Sequence, residues 1–164
     1  MAQSNLHSVD QLATGTVTAA TVARGIMRFF ARNDIWCLQE MPLANGRRAD
    51  LMGVDAKGKL VIVEIKVARS DLLGDSKWSD YLDYCDRFYW GVPPQLDRLP
   101  LDGEAFLPSR TGVLVADGYD AELVRSAALA PLAAARRKAQ IERLARAGMR
   151  RHTVLTDPDC GRHD

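Results

Sequence analysis

One stretch, Leu60-Val-Ile-Val-Glu-Ile-Lys-Val67, constrains this chain more than any other. A near-continuous apolar run rich in Val and Ile reads as a central strand covered on both faces. Glu64 and Lys66 interrupt it. Side chains alternate along a strand, so these two share one face. A buried carboxylate or ammonium costs several kcal/mol, roughly, unless it is paired or bound to something. A sequence built for stability alone would carry Val or Ile at both positions.

The turn just upstream adds a third residue. Ala56-Lys57-Gly58 reads as a three-residue hairpin loop with Gly where φ > 0 is favoured, joining strands expected over 48–55 and 59–67. Counting back from that loop sets Asp50 opposite Glu64, with Cβ atoms about 4.5–5.5 Å apart. A slip of one residue would turn Asp50 to the other face. Two carboxylates that close repel, and one tends to hold its proton. A divalent cation, Mg²⁺ or Mn²⁺, removes the conflict, because it takes one or two carboxylates with water and phosphate oxygens. Asp50, Glu64 and the carbonyl of Ile65 are the candidate ligands. Lys66 would orient or deprotonate an attacking water, or offset charge on a pentavalent transition state. A buried Asp–Lys or Glu–Lys ion pair without chemistry is the competing reading.

The rest of the chain supplies the frame. Residues 12–33 read as a helix with Val22, Ile26, Phe29 and Phe30 on one face, stopped by Asn33-Asp34. A strand follows over 35–41, then a turn region at Pro42 and Asn45-Gly46. After the hairpin, a helix is expected from about 75 to 85, with Ser76 as N-cap and Trp78, Tyr81, Leu82 and Cys85 as its buried stripe. Strands are expected over 87–92, 111–116 and 121–126, with a proline-rich loop over 93–110. Pro131 suits the first position of a last helix reaching about Arg150, with a flexible tail beyond it. The order αβββαβ, extended by strands and a helix, implies an α/β fold: a mixed sheet flanked by helices, in one domain spanning 1–164.

Charge bears on partners. The net charge is +1, so any contact with nucleic acid must be local. Arg47 and Arg48 stand just before Asp50, and Lys77 opens the expected second helix, where it would hold a phosphate or simply be solvated. The last helix carries Arg136, Arg143 and Arg150 at seven-residue spacing, opposite an apolar face of Ile141, Leu144, Ala145 and Met149. Such a stripe suits DNA backbone contact and equally suits a solvated face. Glu40, ending the first strand, reads either as a further acid for the site or as a solvated loop residue. The widely spaced Cys37, Cys85 and Cys160 fit neither a disulfide framework nor a zinc site. With no signal-peptide pattern and no long apolar run, a cytoplasmic protein without membrane contact is expected. A homodimer is compatible with these features.

Asp50, thirteen residues, then Glu64-Ile65-Lys66 resembles the PD-(D/E)XK motif of restriction-endonuclease-like nucleases. Gly46-Arg47-Arg48-Ala49-Asp50-Leu51, Asp75-Ser76-Lys77-Trp78, Tyr81, Cys85-Asp86 and Arg136-Arg137-Lys138-Ala139 together resemble the MmcB family of bacterial DNA repair proteins. The resemblance implies a restriction-endonuclease-like fold and Mg²⁺-dependent hydrolysis of DNA phosphodiesters during repair. Asp50 and Glu64 match the metal ligands, and Lys66 matches the catalytic lysine. Ala49 stands where the motif's name has proline, and residues 12–33 lack the acid that many such nucleases place on the first helix. That departure leaves room for a DNA-binding or scaffold protein of the same fold without turnover.

Overall fold

The computed structural model describes residues 16–161. Six strands form one mixed sheet in chain order: β1 (Ile35–Pro42), β2 (Arg48–Asp55), β3 (Leu60–Ile65), β4 (Arg87–Val92), β5 (Thr111–Ala116) and β6 (Ala121–Arg125). The first three are antiparallel neighbours, β3–β4 and β4–β5 are parallel, and β6 returns antiparallel. The hairpin forms as its loop dictates: Gly58 sits at φ +73 and its N–H donates to Asp55 O. β2 and β3 then pair from Val54–Leu60 to Leu51–Val63, the register counted from the sequence. Every residue of β3 is buried, as a central strand requires.

Alternation along β3 divides the core in two. Val61, Val63 and Ile65 meet Val22, Ile26 and Phe30 of α1 (Ala19–Arg32) on one face. Leu60 and Ile62 meet Trp78, Phe88, Trp90 and Leu144 on the other. Leu144 belongs to α3 (Ala134–Thr156), so helices cover both faces. This is the restriction-endonuclease-like arrangement. Gly25 seats α1 against the turn before β6, where the Asp117 and Asp120 carbonyls leave no room for a Cβ.

Four expectations need correction. The first helix starts at Ala19, because the Thr18 hydroxyl accepts from Thr21 N–H and closes a capping box; residues 12–15 lie outside the described residues. The expected helix over 75–85 is a short α2 (Arg69–Gly74) followed by a 3₁₀ helix (Trp78–Tyr84), and Ser76 caps neither. Asp75 is held by Lys66, and the buried Asp86 by the Leu60 N–H and Arg137. A 3₁₀ helix, rising about 2.0 Å per residue, spans more distance between fixed ends than an α-helix of about 1.5 Å per residue. The 93–110 loop folds into two 3₁₀ turns, Leu99–Asp102 and Glu104–Phe106. Finally, α3 starts three residues after Pro131 and continues to Thr156, so the segment just after Arg150 is helical rather than a flexible tail. Its buried residues are Gln140 and Leu144, whereas Met149 is 68% exposed.

Candidate active site

β2 and β3 pair as far as Leu51–Val63 and then part, one residue short of Asp50 and Glu64. The expected side-by-side ladder pair is therefore absent. Instead the Asp50 carboxylate turns toward β3 and accepts the N–H of Ile65 at 2.7 Å. A side chain thus takes a backbone donor that the ladder would otherwise use. This holds Asp50 at the opening of the fork while Glu64 stays on β3, on the face shared with Leu60 and Ile62.

Glu64 is 8% exposed. Its Oε1 accepts from Lys66 Nζ at 3.3 Å, and its buried Oε2 has no partner. Burial raises the Glu64 pKa to about 7, with the charge of Asp50 adding to the effect against the pull of Lys66. Burial likewise raises the Asp50 carboxyl, opposed by the Ile65 hydrogen bond and supported by the charge of Glu40. Lys66 also donates to Asp75 at 2.8 Å. Burial works against its charge, but Asp75 and Glu64 outweigh that and raise its pKa. Tyr81 completes the wall: its hydroxyl donates to Arg48 O at 3.0 Å, and burial, the charges of Glu64 and Asp50 and the closeness of its hydroxyl to the Glu64 carboxylate raise its pKa.

The donor chemistry fits a divalent cation. The buried Glu64 carboxylate, with its orphaned oxygen, and the half-buried Asp50 carboxylate disfavour simultaneous ionisation and form a hard-oxygen set suited to Mg²⁺. Asp50, Glu64 and the Ile65 carbonyl would hold it. Among the described residues no three Asp, Glu, His or Cys side chains yet surround a common point.

The match to known proteins decides the family. The family model described as DNA repair protein MmcB-like matches residues 9–159. The chain belongs to the MmcB-like family. That membership supports a role in DNA repair, and with it contact with DNA. A solved protein of unknown function from Silicibacter pomeroyi is 38% identical, covering 87% of this chain and 92% of its own, with a TM-score of 0.76. No curated protein matches.

The MmcB-like fold brings some expected cations together and uses others elsewhere. Arg47, Arg48 and Lys77 line one open cleft of about 540 Å³ with Asn45, Gly46, Asp80 and Tyr81. Arg47 is partly spent on Asp80 at 3.2 Å, while Lys77 is exposed. Lys77 opens a 3₁₀ helix and not an α-helix, so the expected helix-dipole help does not arise. On α3, Arg136 pairs with Asp83 at 3.5 Å and Arg143 donates to Pro42 O at 3.3 Å. Arg150 is exposed. The seven-residue stripe is therefore partly structural.

Two features carry little signal in the sequence. Asp75, between Gly74 and Ser76, shows only a turn pattern, yet it is the nearest partner of Lys66. Asp86 is fully buried; it accepts the N–H groups of Leu60 and Leu132, each at 2.8 Å, and Arg137 through both Nε and Nη2. Only the co-occurrence of Cys85-Asp86 with Arg136-Arg137 hints at this pair.

Proposed function

We propose that this protein is a Mg²⁺-dependent DNA nuclease of repair, with Mn²⁺ able to substitute. The observation that carries the reading is the partnerless buried Glu64 Oε2 beside Asp50, with the Lys66 ammonium on the same face. A bound cation would draw charge from the scissile phosphate and make an attacking water more acidic. Asp50 and Glu64 would fix its place, the Ile65 N–H keeping Asp50 oriented. Lys66 would hold the nucleophile or meet charge developing on the phosphorus oxygens. Arg47, Arg48 and Lys77, on the adjoining cleft, would grip the flanking backbone. No helix among the described residues is long and apolar enough to cross a membrane. The free thiols of Cys37, Cys85 and Cys160 support a reducing, cytoplasmic setting.

Incubation with single-stranded, duplex, flap and branched DNA, with Mg²⁺, Mn²⁺ or chelator, tests the activity. No metal-dependent product from any substrate would leave the second reading, a DNA-binding protein without turnover. The 2.8 Å bond tying Lys66 to Asp75 favours that alternative.

The metal site has its own test. Asn at position 50 can still accept the Ile65 N–H but removes one repelling charge. Metal-free Asp50→Asn is therefore expected to melt no lower than metal-free wild type. Millimolar Mg²⁺ or Mn²⁺ should raise the wild-type melting temperature, since it binds the native state and hardly the unfolded chain. The variant should lose most of that rise. A wild type indifferent to metal, beside a severely destabilised variant, would point to a structural ion pair.

The cleft gives a third expectation. Arg48→Ala with Lys77→Ala should weaken binding to DNA of any sequence. The slope of log affinity against log salt should flatten by roughly 0.9 for each duplex phosphate no longer neutralised. An unchanged slope would show that DNA does not use this cleft.

A further inference from the structure

We propose that Glu40 supplies a third carboxylate to the divalent cation assigned to Asp50 and Glu64, exchanging its present partner Arg48 for the cation. This inference rests on the cation reading above and deepens it. The ladder pairs Gln39–Leu51 and Met41–Ala49 set Glu40 across from Asp50, and the β2–β3 register carries the same row on to Glu64. Three acids thus fall in line over three adjacent strands. Both ladders break along this row: neither Glu40–Asp50 nor Asp50–Glu64 is a ladder pair.

The break at Glu40 is built. Its φ is +52, a left-handed backbone that residues with side chains rarely adopt, in the middle of a strand. The tertiary structure enforces it: Arg151 of α3 donates to Gln39 O at 2.5 Å and to Glu40 O at 3.0 Å. Strain held in place from a distant helix is typical of functional positions. The carboxylate itself lies against Arg48 Nε at 2.5 Å and is 53% exposed. An exposed ion pair of that kind stabilises little and gives no reason to hold the backbone so. Its charge reaches Asp50 across the broken ladder. An exposed glutamate changes rotamer on a ps–ns timescale, so exchanging Arg48 for a cation needs no backbone motion. The sign of a ligand at this row, apart from the backbone at Glu40, is the buried Glu64 Oε2 without a partner that already marks the cation site.

Calorimetric titration of Mn²⁺ into the intact protein tests this without any assay of cleavage. Wild type should bind, Glu40→Gln should bind at least tenfold more weakly, and Arg48→Ala should bind as tightly as wild type or more so. Chelator-treated melts of each variant check that the fold is kept, and Glu40→Asp, which retains the charge, should recover part of the missing affinity. Wild-type affinity in Glu40→Gln, with binding abolished in Asp50→Asn, would overturn the role of Glu40 and spare the cation site. Absence of Mn²⁺ binding by wild type would overturn both.

Discussion

Lys66→Ala is expected to lower metal-dependent DNA cleavage by at least roughly a hundredfold while Mn²⁺ still binds, the scale of losing a positioned electrostatic or acid–base group. The side chain is held in one place, 3.3 Å from Glu64 Oε1 and 2.8 Å from Asp75 Oδ2, and is mostly buried. A fixed ammonium in a poorly solvated site costs no reorganisation when charge develops. Removing it also leaves Glu64 and Asp75 without their shared cation, so stability must be measured beside rate. Single-turnover cleavage by folded Lys66→Ala, at saturating metal, separates the two effects. If Lys66 is only the centre of an ion-pair cluster, melting falls while the rate per folded molecule stays at the wild-type value. Comparable cleavage by the two proteins would remove Lys66 from the mechanism.

Arg137→Ala should destabilise the protein strongly, because it leaves the buried Asp86 carboxylate without its paired guanidinium, held by the Leu60 and Leu132 N–H groups. In a domain of this size that lowers the melting temperature by on the order of 10 °C. Asp86 is the junction it protects: its carboxylate joins the start of β3, the segment before α3 and α3 itself. Burial pushes the Asp86 carboxyl up, but the Arg137 hydrogen bonds and the N–H groups of Leu60 and Leu132 outweigh it and hold its pKa at about 2. A depressed acid stabilises the fold when ionised. Its contribution, on the order of 2 kcal/mol, is complete above about pH 4 and fades as pH falls toward 2. Wild-type stability should therefore decline over that interval, and Arg137→Ala should show a shallower decline from a lower plateau. Arg137→Lys should restore only part of the stability, since an ammonium cannot donate as the guanidinium fork does. A wild-type melting temperature in Arg137→Ala would show that the junction is held by other groups.

The sheet was legible because its signals are local and strong. The Ala56-Lys57-Gly58 loop sets the hairpin register, and the apolar run of β3 marks the centre. The segment after Lys66 was not legible. Trp78 and Tyr81 are three residues apart, which suits both an α and a 3₁₀ helix, and only the anchors at either end select the second. On α3, periodicity found Leu144 but misassigned Met149, because the face turned to the core also carries polar residues, the buried Gln140 and the half-buried Arg137 paired with Asp86, which apolar spacing does not reveal.

Local sequence signals alone place Glu64 and Lys66 together at the end of β3 and Asp50 on the neighbouring strand. Strand alternation and hairpin closure act over a few residues and leave almost no freedom once the loop is given. How the three side chains are held comes from contacts between elements. The fork between β2 and β3 turns Asp50 onto the Ile65 N–H, Asp75 arrives nine residues after Lys66 to claim it, and Arg151 reaches back over a hundred residues to hold Glu40 in a left-handed backbone. Each of these joins a donor and an acceptor on different elements, from nine to over a hundred residues apart. No local propensity encodes such a pairing; it forms only when packing of both sheet faces has already fixed the elements that carry the two groups.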